Sequence, residues 1–431
     1  MPDDINNLTT GLNDDEAPQL LTIDAEFDVS DLLDYVFSIP LYPRFLLSMR
    51  DEDRVVAGCG NAIGLQSIEE VQLILSKCTG TRPSCFVAIP FDRNCKRDEY
   101  WQAFNEMQIW IPSLFAEASD SSKRGCITVP FRKMFSERDI GDNMKKIGKA
   151  LRNLQEPAVD SEIGRAISRI DIPDANGYKD YVKSILASIA EGSLTKAVAA
   201  RRTDLQFEKP PDAHSVYKSI QRQSDASYSF ILQPDDKHTF LGFTPERLFR
   251  LENRKVTTEA VAGTAPTDIA KRLLKSEKDR HEHRVVIDYL TDSLFGICSS
   301  VRCDDDVTLK RAGAVSHLYS KVEGVLAEER SITDVLNRLH PTPAVCGQPK
   351  TDALACIRDS EPFDRGLYAG TIGIIGENQA EMAVAIRSML VHNTTISLFA
   401  GAGIVDGSKP ESELAEIESK IRTYLDILGM E

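Results

Sequence analysis

No lysine or arginine occurs before Arg44, and the first 26 residues lack the basic start and apolar run of a signal peptide, so none is expected there. No apolar stretch approaches the roughly 18 residues of a spanning helix. The nine cysteines, an odd number, include no C-x-x-C pair, which argues against a disulfide framework and a structural zinc site. Positive charge is also in deficit: 51 Lys and Arg against 66 Asp and Glu leave a formal charge of −15, which repels phosphate backbones and anionic lipid. No nucleic acid and no membrane are expected as partners, and the expected location is cytoplasmic. The chain shows no fixed-period repeat and no low-complexity tract, which excludes a solenoid or a propeller.

What remains is the composition of a folded enzyme, 42% apolar and 27% charged over 431 residues. An anionic substrate would have to sit where a few basic side chains or backbone N–H groups converge against the overall field. Residues 1–24 are polar and acidic and are expected to be mobile. Residues 25–170 mix short alternating runs, such as 54–57 and 85–89, with the helix-patterned 68–78, and read as an α+β region packing on the C-terminal part of the chain. A turn-rich stretch containing DIPDANGY, ahead of a helix pattern at 181–190, marks a soft boundary before residues 171–431. In that second region 366–375, GENQ and 380–391 read as a β-hairpin. The run 395–405 reads as a strand entering a glycine-rich turn.

Several side chains invite a chemical reading. The last helix pattern, about 410–428, aligns Leu414, Ile417, Ile421, Leu425 and Leu428 in one stripe, flanked by Glu413, Glu416 and Lys420. Spacing alone favours Glu416 and Lys420 as an exposed i,i+4 pair. Glu282 stands three, four and seven residues before Val285, Val286 and Tyr289, which points it along a buried face. A carboxylate there needs a cation, and magnesium accepts few carboxylates completed by water and substrate oxygens. The alternative is a helix-start carboxylate favoured by the macrodipole. His281 and His283, two apart on a helix, face away from each other and do not make a zinc site. GAGIVDG (401–407) has too little chain after it for a dinucleotide βαβ unit, leaving a turn whose N–H groups can meet an anion. Lys196, in strand or helix, and Glu246, after a turn-setting proline, are each open to a plain surface reading.

Taken in order, TKAVAARR, LGFTPERL, AVAGTAP, SEKDRHEH, HPTPAVCGQP, EPFDRGLYAG, AVAIRS and AGAGIVDGSKPESELAEIESK resemble the chorismate-binding enzymes. The resemblance spans residues 194–428. PLYPRF and YWQAF in the first half look like the menaquinone-type isochorismate synthases. The likeness implies an α+β fold of the anthranilate synthase component I type, with layered antiparallel sheets flanked by helices. Residues 171–431 would be the catalytic domain, with chorismate as substrate and Mg2+ as cofactor.

The family pattern places Glu282 and Glu416 on the metal, with Glu413 near it through water. It sets Arg387 and Lys420 on substrate carboxylates, Gly263, Thr264, Ala344 and Tyr368 along the pocket, and Gly401 as a backbone donor. Lys196 would be the base that activates water for attack at C2, and Glu246 the acid that protonates the departing C4 hydroxyl. Ala262, where some sister enzymes carry a nucleophilic lysine, argues against aminodeoxychorismate chemistry. Ala344, where salicylate synthases carry threonine, favours stopping at isochorismate. Salicylate formation and a catalytically silent binding protein are the alternatives. No glutaminase subunit is expected, and the chain is expected to be a monomer or a weak homo-oligomer.

Overall fold

Short runs rich in apolar residues, several of them buried along their whole length, build this molecule mainly from strands, and every strand pairing among the described residues is antiparallel. The computed structural model describes residues 19–25, 36–76, 84–95, 98–104, 107–119, 122–131, 163–222, 227–312 and 315–430. One layer runs through Arg54–Gly64, Arg44–Ser48, Tyr228–Gln233, His238–Thr244, Ser388–His392, Thr395–Ile404 and Lys196–Phe207. The other runs through Cys85–Ile89, Thr371–Ile375, Gln379–Val384, Arg247–Glu252, Lys255–Pro266 and Val315–Leu326. Gln108–Ser119 joins them, pairing with both Arg54–Gly64 and Cys85–Ile89. The fold is α+β, layered antiparallel sheets flanked by helices, and strands from before and after residue 170 share both layers.

Between the layers lies one large apolar core that includes Phe45, Phe86, Trp101, Trp110, Phe230 and Phe240. Two helices frame the site. Glu277–Phe295 starts at Ser276, whose side chain accepts from the Asp279 N–H, and carries Glu277 and Asp279 in its first turn, where the macrodipole favours them. Pro410–Ile427 opens on proline, which has no N–H to leave unsatisfied, and buries Ile417, Ile421, Tyr424 and Leu425, with Leu428 buried at its end and Leu414 half-buried.

The structure revises several local expectations. The helix over Ala175–Ala190 starts inside DIPDANGY, because Asp174 caps it by accepting from the Gly177 N–H. The hairpin forms, but its arms are Thr371–Ile375 and Gln379–Val384. The second arm stops before Arg387, which has a positive φ of 50° and turns the chain into Ser388–His392. Arg387 is thus at a break between strands rather than on one alternating strand. Gly401 and Gly403 lie inside Thr395–Ile404 and not in the turn after it. Gln19–Ala25, within the stretch expected to be mobile, forms a strand paired with Ser122–Phe131, while residues 1–18 and Cys78 lie outside the described residues. On the helix Glu277–Phe295 the buried line passes through His283, Leu290 and Leu294; Val285 is exposed and Glu282 sits half-buried on the flank.

Candidate active site

Lys196 opens the strand Lys196–Phe207, with Ala197 opposite Ile404 on one side and Gly347 on the other. Its backbone is clamped: a Cβ on Gly347, where φ is 144°, would fall 2.3 Å from the Lys196 carbonyl oxygen, so only glycine fits. The side chain runs over Gly403, where a Cβ would meet Lys196 Cε at 2.9 Å. Burial pushes the Lys196 ammonium below its ordinary range and Lys420 adds to that, against the upward pulls of Glu282, Glu246 and Glu416.

Glu246 occupies the link between His238–Thr244 and Arg247–Glu252, which lie in different layers. Its N–H donates to Thr244 Oγ1 (3.2 Å) and its carbonyl accepts from the Val384 N–H (3.0 Å), so the backbone is held at both ends. Burial raises its carboxyl to about 7 and Glu259 adds to the rise, opposed by Lys196, Arg50 and Lys420. Both Lys196 and Glu246 keep some accessible surface while protein surrounds them, as at the bottom of a cleft. A lysine pushed down near a carboxyl pushed up is the shift that general base and acid chemistry at one site requires.

Around this pair the other expected residues gather unevenly. Glu282 and Glu416 come from separate helices, and both act on Lys196. Glu416 and Glu413 both act on the buried Tyr178 hydroxyl, whose titration is pushed well up, first by burial. Glu416 also pairs with Lys420 at 2.7 Å, the i,i+4 contact its spacing suggests, while Lys420 Nζ donates to the Gly401 carbonyl at 2.7 Å. Lys420 therefore ties the helix to the strand. Ala200, opposite Gly401, sends its N–H to Glu361 instead, so the Gly401 peptide groups face away from that strand, beyond the last Ser388–His392 partner at Leu398. Among the described residues no group of three or more His, Cys, Asp or Glu stands close enough to hold a metal ion alone. Two converging carboxylates suit a hard cation that completes its shell with substrate and water.

Arg387 is half-buried, and its guanidinium makes no hydrogen bond or ion pair among the described residues. Its carbonyl is pinned by the Phe243 N–H and the Tyr424 hydroxyl, both at 3.1 Å. Tyr368 is buried and stacked on Phe399 at 5.2 Å, and a Cβ on Gly401 would come 2.8 Å from its hydroxyl. Gly263, at φ +67°, forms the bulge in Lys255–Pro266 that sets the register of Thr264 against His317. The Thr264 side chain lies outside the described residues. Ala344 sits half-buried in the turn before Cys346, whose carbonyl accepts from the Val198 N–H (2.8 Å), placing that turn beside the Lys196 strand.

His317 was missed by sequence reading. Its Nδ1 lies 3.2 Å from the Gly263 carbonyl, and burial, with help from Arg387 and Lys420, pushes its titration down. A lone histidine on a strand offers no signal; only the pairing with the Gly263 bulge brings it here. A separate cavity of about 290 Å³, bounded by Phe91, Asp98, Arg358, Glu361 and Phe363, touches none of the expected site residues, and its charged walls are largely paired with one another.

The family model described as chorismate binding enzyme matches residues 6–429. The chain is 30% identical over 415 residues to the chloroplastic isochorismate synthase of Catharanthus roseus, covering 90% of this chain and 71% of that protein. It is 29% identical over 423 residues to the isochorismate synthase of Haemophilus influenzae, covering 96% and 93%. The structure of the menaquinone-specific isochorismate synthase from Escherichia coli superposes with a TM-score of 0.85 at 26% identity, covering 99% of this chain and 98% of that one. With the match running nearly end to end and the fold shared, the chain belongs to the chorismate-binding enzyme family.

Proposed function

We propose that this enzyme interconverts chorismate and isochorismate. The observation that carries the reading is the nearly end-to-end likeness to isochorismate synthases, and the opposed shifts of Lys196, pushed down, and Glu246, raised to about 7, support it. Neutral Lys196 takes a proton from water as its oxygen bonds to C2 of the ring. Both ring double bonds shift, from C1=C2 and C5=C6 to C1=C6 and C4=C5, and the C4–O bond breaks as Glu246 gives its proton to the departing hydroxyl, which leaves as water. One water enters and one leaves, so the reaction is an isomerisation, and return of a proton from Lys196 to Glu246 through solvent resets the pair.

The half-buried Arg387, with no partner of its own among the described residues, supplies charge for a substrate carboxylate, and Lys420, at the Gly401 carbonyl, supplies a second positive charge. Tyr368 and the Ala344 turn shape the pocket. Glu282 and Glu416, with Glu413 beside them, would hold Mg2+, which when bound supplies charge neutralisation and a fixed orientation for the ring carboxylate. Ala344 offers a methyl where a hydroxyl would give the bound product another polar contact, and this supports release of isochorismate before any pyruvate is eliminated. Such chemistry draws on no ammonia and hence no glutaminase subunit. No described helix is long and apolar enough to cross a membrane. Incubating the purified protein with chorismate and magnesium and resolving every product tests the reading. Isochorismate is expected, and unreacted chorismate would refute it.

A further inference from the structure

Arg50, just past the strand Arg44–Ser48, reaches out of the N-terminal region to the segment that carries Glu246. Its Nη1 donates to the carbonyl of Pro245, while its Nη2 binds Glu259 at 2.6 Å and Asp51 at 2.8 Å. Arg247, on the other side of Glu246, is held by the same two carboxylates, Glu259 at 2.6 Å and Asp51 at 2.9 Å, and also by Glu381 at 2.8 Å. Lys310 Nζ adds a contact to Glu259 at 3.4 Å. With Arg250 Nε 3.7 Å from Glu381, four cations face three carboxylates, and the Arg50 and Glu259 side chains are only 1% and 2% exposed. Glu246 itself stands outside this lattice, but the residue on each side of it is locked in.

We propose that Arg50 and Glu259 form a positioning pair for Glu246, fixing the Pro245–Arg247 segment so that its carboxyl points at the reacting centre. The inference rests on the reading of Glu246 as the acid. A buried ion pair of this kind costs desolvation and is weak as a source of stability, so its geometric use here is the more informative fact. The pair also acts on the acid through space. The charged groups facing Glu246 are Lys196 from its strand, Lys420 from the C-terminal helix, Glu259 from Lys255–Pro266 and Arg50. Glu259 favours the protonated acid and Arg50 the ionised one, so the two halves of the pair pull in opposite directions.

The test uses the full chain with Arg50→Lys, Arg50→Gln and Glu259→Gln. Arg50→Lys keeps the charge but loses the fork that spans Pro245 and Glu259. Its kcat is expected to fall about tenfold, with KM for chorismate within about twofold. The protonation of Glu246 is followed independently of turnover as the infrared carboxyl band that disappears in Glu246→Gln. Its midpoint should move up in Arg50→Gln and down in Glu259→Gln. A merely structural role would lower both variants' folded yield without opposite displacements, and equal midpoints or an undiminished kcat in Arg50→Lys would overturn the inference. If a single variant does not accumulate folded, Arg50→Met with Glu259→Gln, which removes both charges together, replaces it. There a kcat lowered at least about fivefold supports the pair and a wild-type kcat refutes it. A wild-type protein that leaves chorismate unchanged would defeat the proposed function, while the infrared midpoints would still decide whether the pair governs Glu246.

Discussion

Lys196 crosses over Gly403 so closely that a Cβ at residue 403 would lie 2.9 Å from Lys196 Cε and 3.4 Å from Nζ. The lysine tail can move aside, so Gly403→Ala should fold normally and misplace the base. A kcat lowered roughly tenfold or more with an unchanged unfolding midpoint is expected. Full activity would mean that the position of Lys196 over the strand does not matter.

Direct removal of the two reactive groups should be more severe. Lys196→Ala and Glu246→Gln should each lower turnover by roughly 10²-fold or more while KM changes much less. Steady-state kinetics at saturating magnesium decide it, and near-normal turnover in either variant would strip that residue of its role.

The pH profile depends on the same pair. The proposed reaction needs Lys196 neutral and Glu246 protonated; rising pH ionises Glu246 above about 7, and falling pH protonates Lys196. The wild-type profile should therefore be bell-shaped with one limb near 7, and Glu246→Gln should lose that limb from its residual activity. Persistence of the limb would assign it to another group.

Chelation should abolish activity, and readdition of magnesium should restore it. Glu416→Gln should raise the magnesium concentration needed for half-maximal rate by about tenfold or more, since it removes one ligand charge and also frees Lys420 from its 2.7 Å partner. An unaltered magnesium requirement would leave Glu416 as a plain surface pair.

Stability should depend on buried histidines. Burial depresses His340 and His392 to about 4, from an ordinary 6.5. Between those values the unfolded chain binds protons that the folded one refuses, so stability is full above about pH 6.5 and falls as pH drops toward 4. The unfolding midpoint measured against pH should show this slope, and His340→Gln should flatten it. A slope unchanged in that variant would place the acid sensitivity elsewhere.

Much of this was legible in the sequence because local periodicity carries it. The stripe Ile417, Ile421, Leu425 and Leu428 is buried as its spacing requires, and the short apolar runs at 85–89 and 395–404 form strands. The eight motifs in order led to the family that the end-to-end match supports. Less legible were features that depend on a single backbone angle. Nothing in AVAIRSML announces the positive φ at Arg387, and of the glycines in 401–407 only Gly407, at φ 80°, sits in the turn, while Gly401 and Gly403 thin a strand so that Tyr368 and Lys196 can pass.

By itself, then, the sequence determined the α+β class, the apolar faces of its elements and the identities of the groups available for chemistry. Tertiary structure alone decided their ionisation and aim. Glu246 is raised by burial and by Glu259, which lies 13 positions further along the chain, and its segment is held by Arg50, 195 positions before Pro245. Electrostatic fields and desolvation depend on distance in space, which no spacing along a chain reveals until the sheets have brought those residues together.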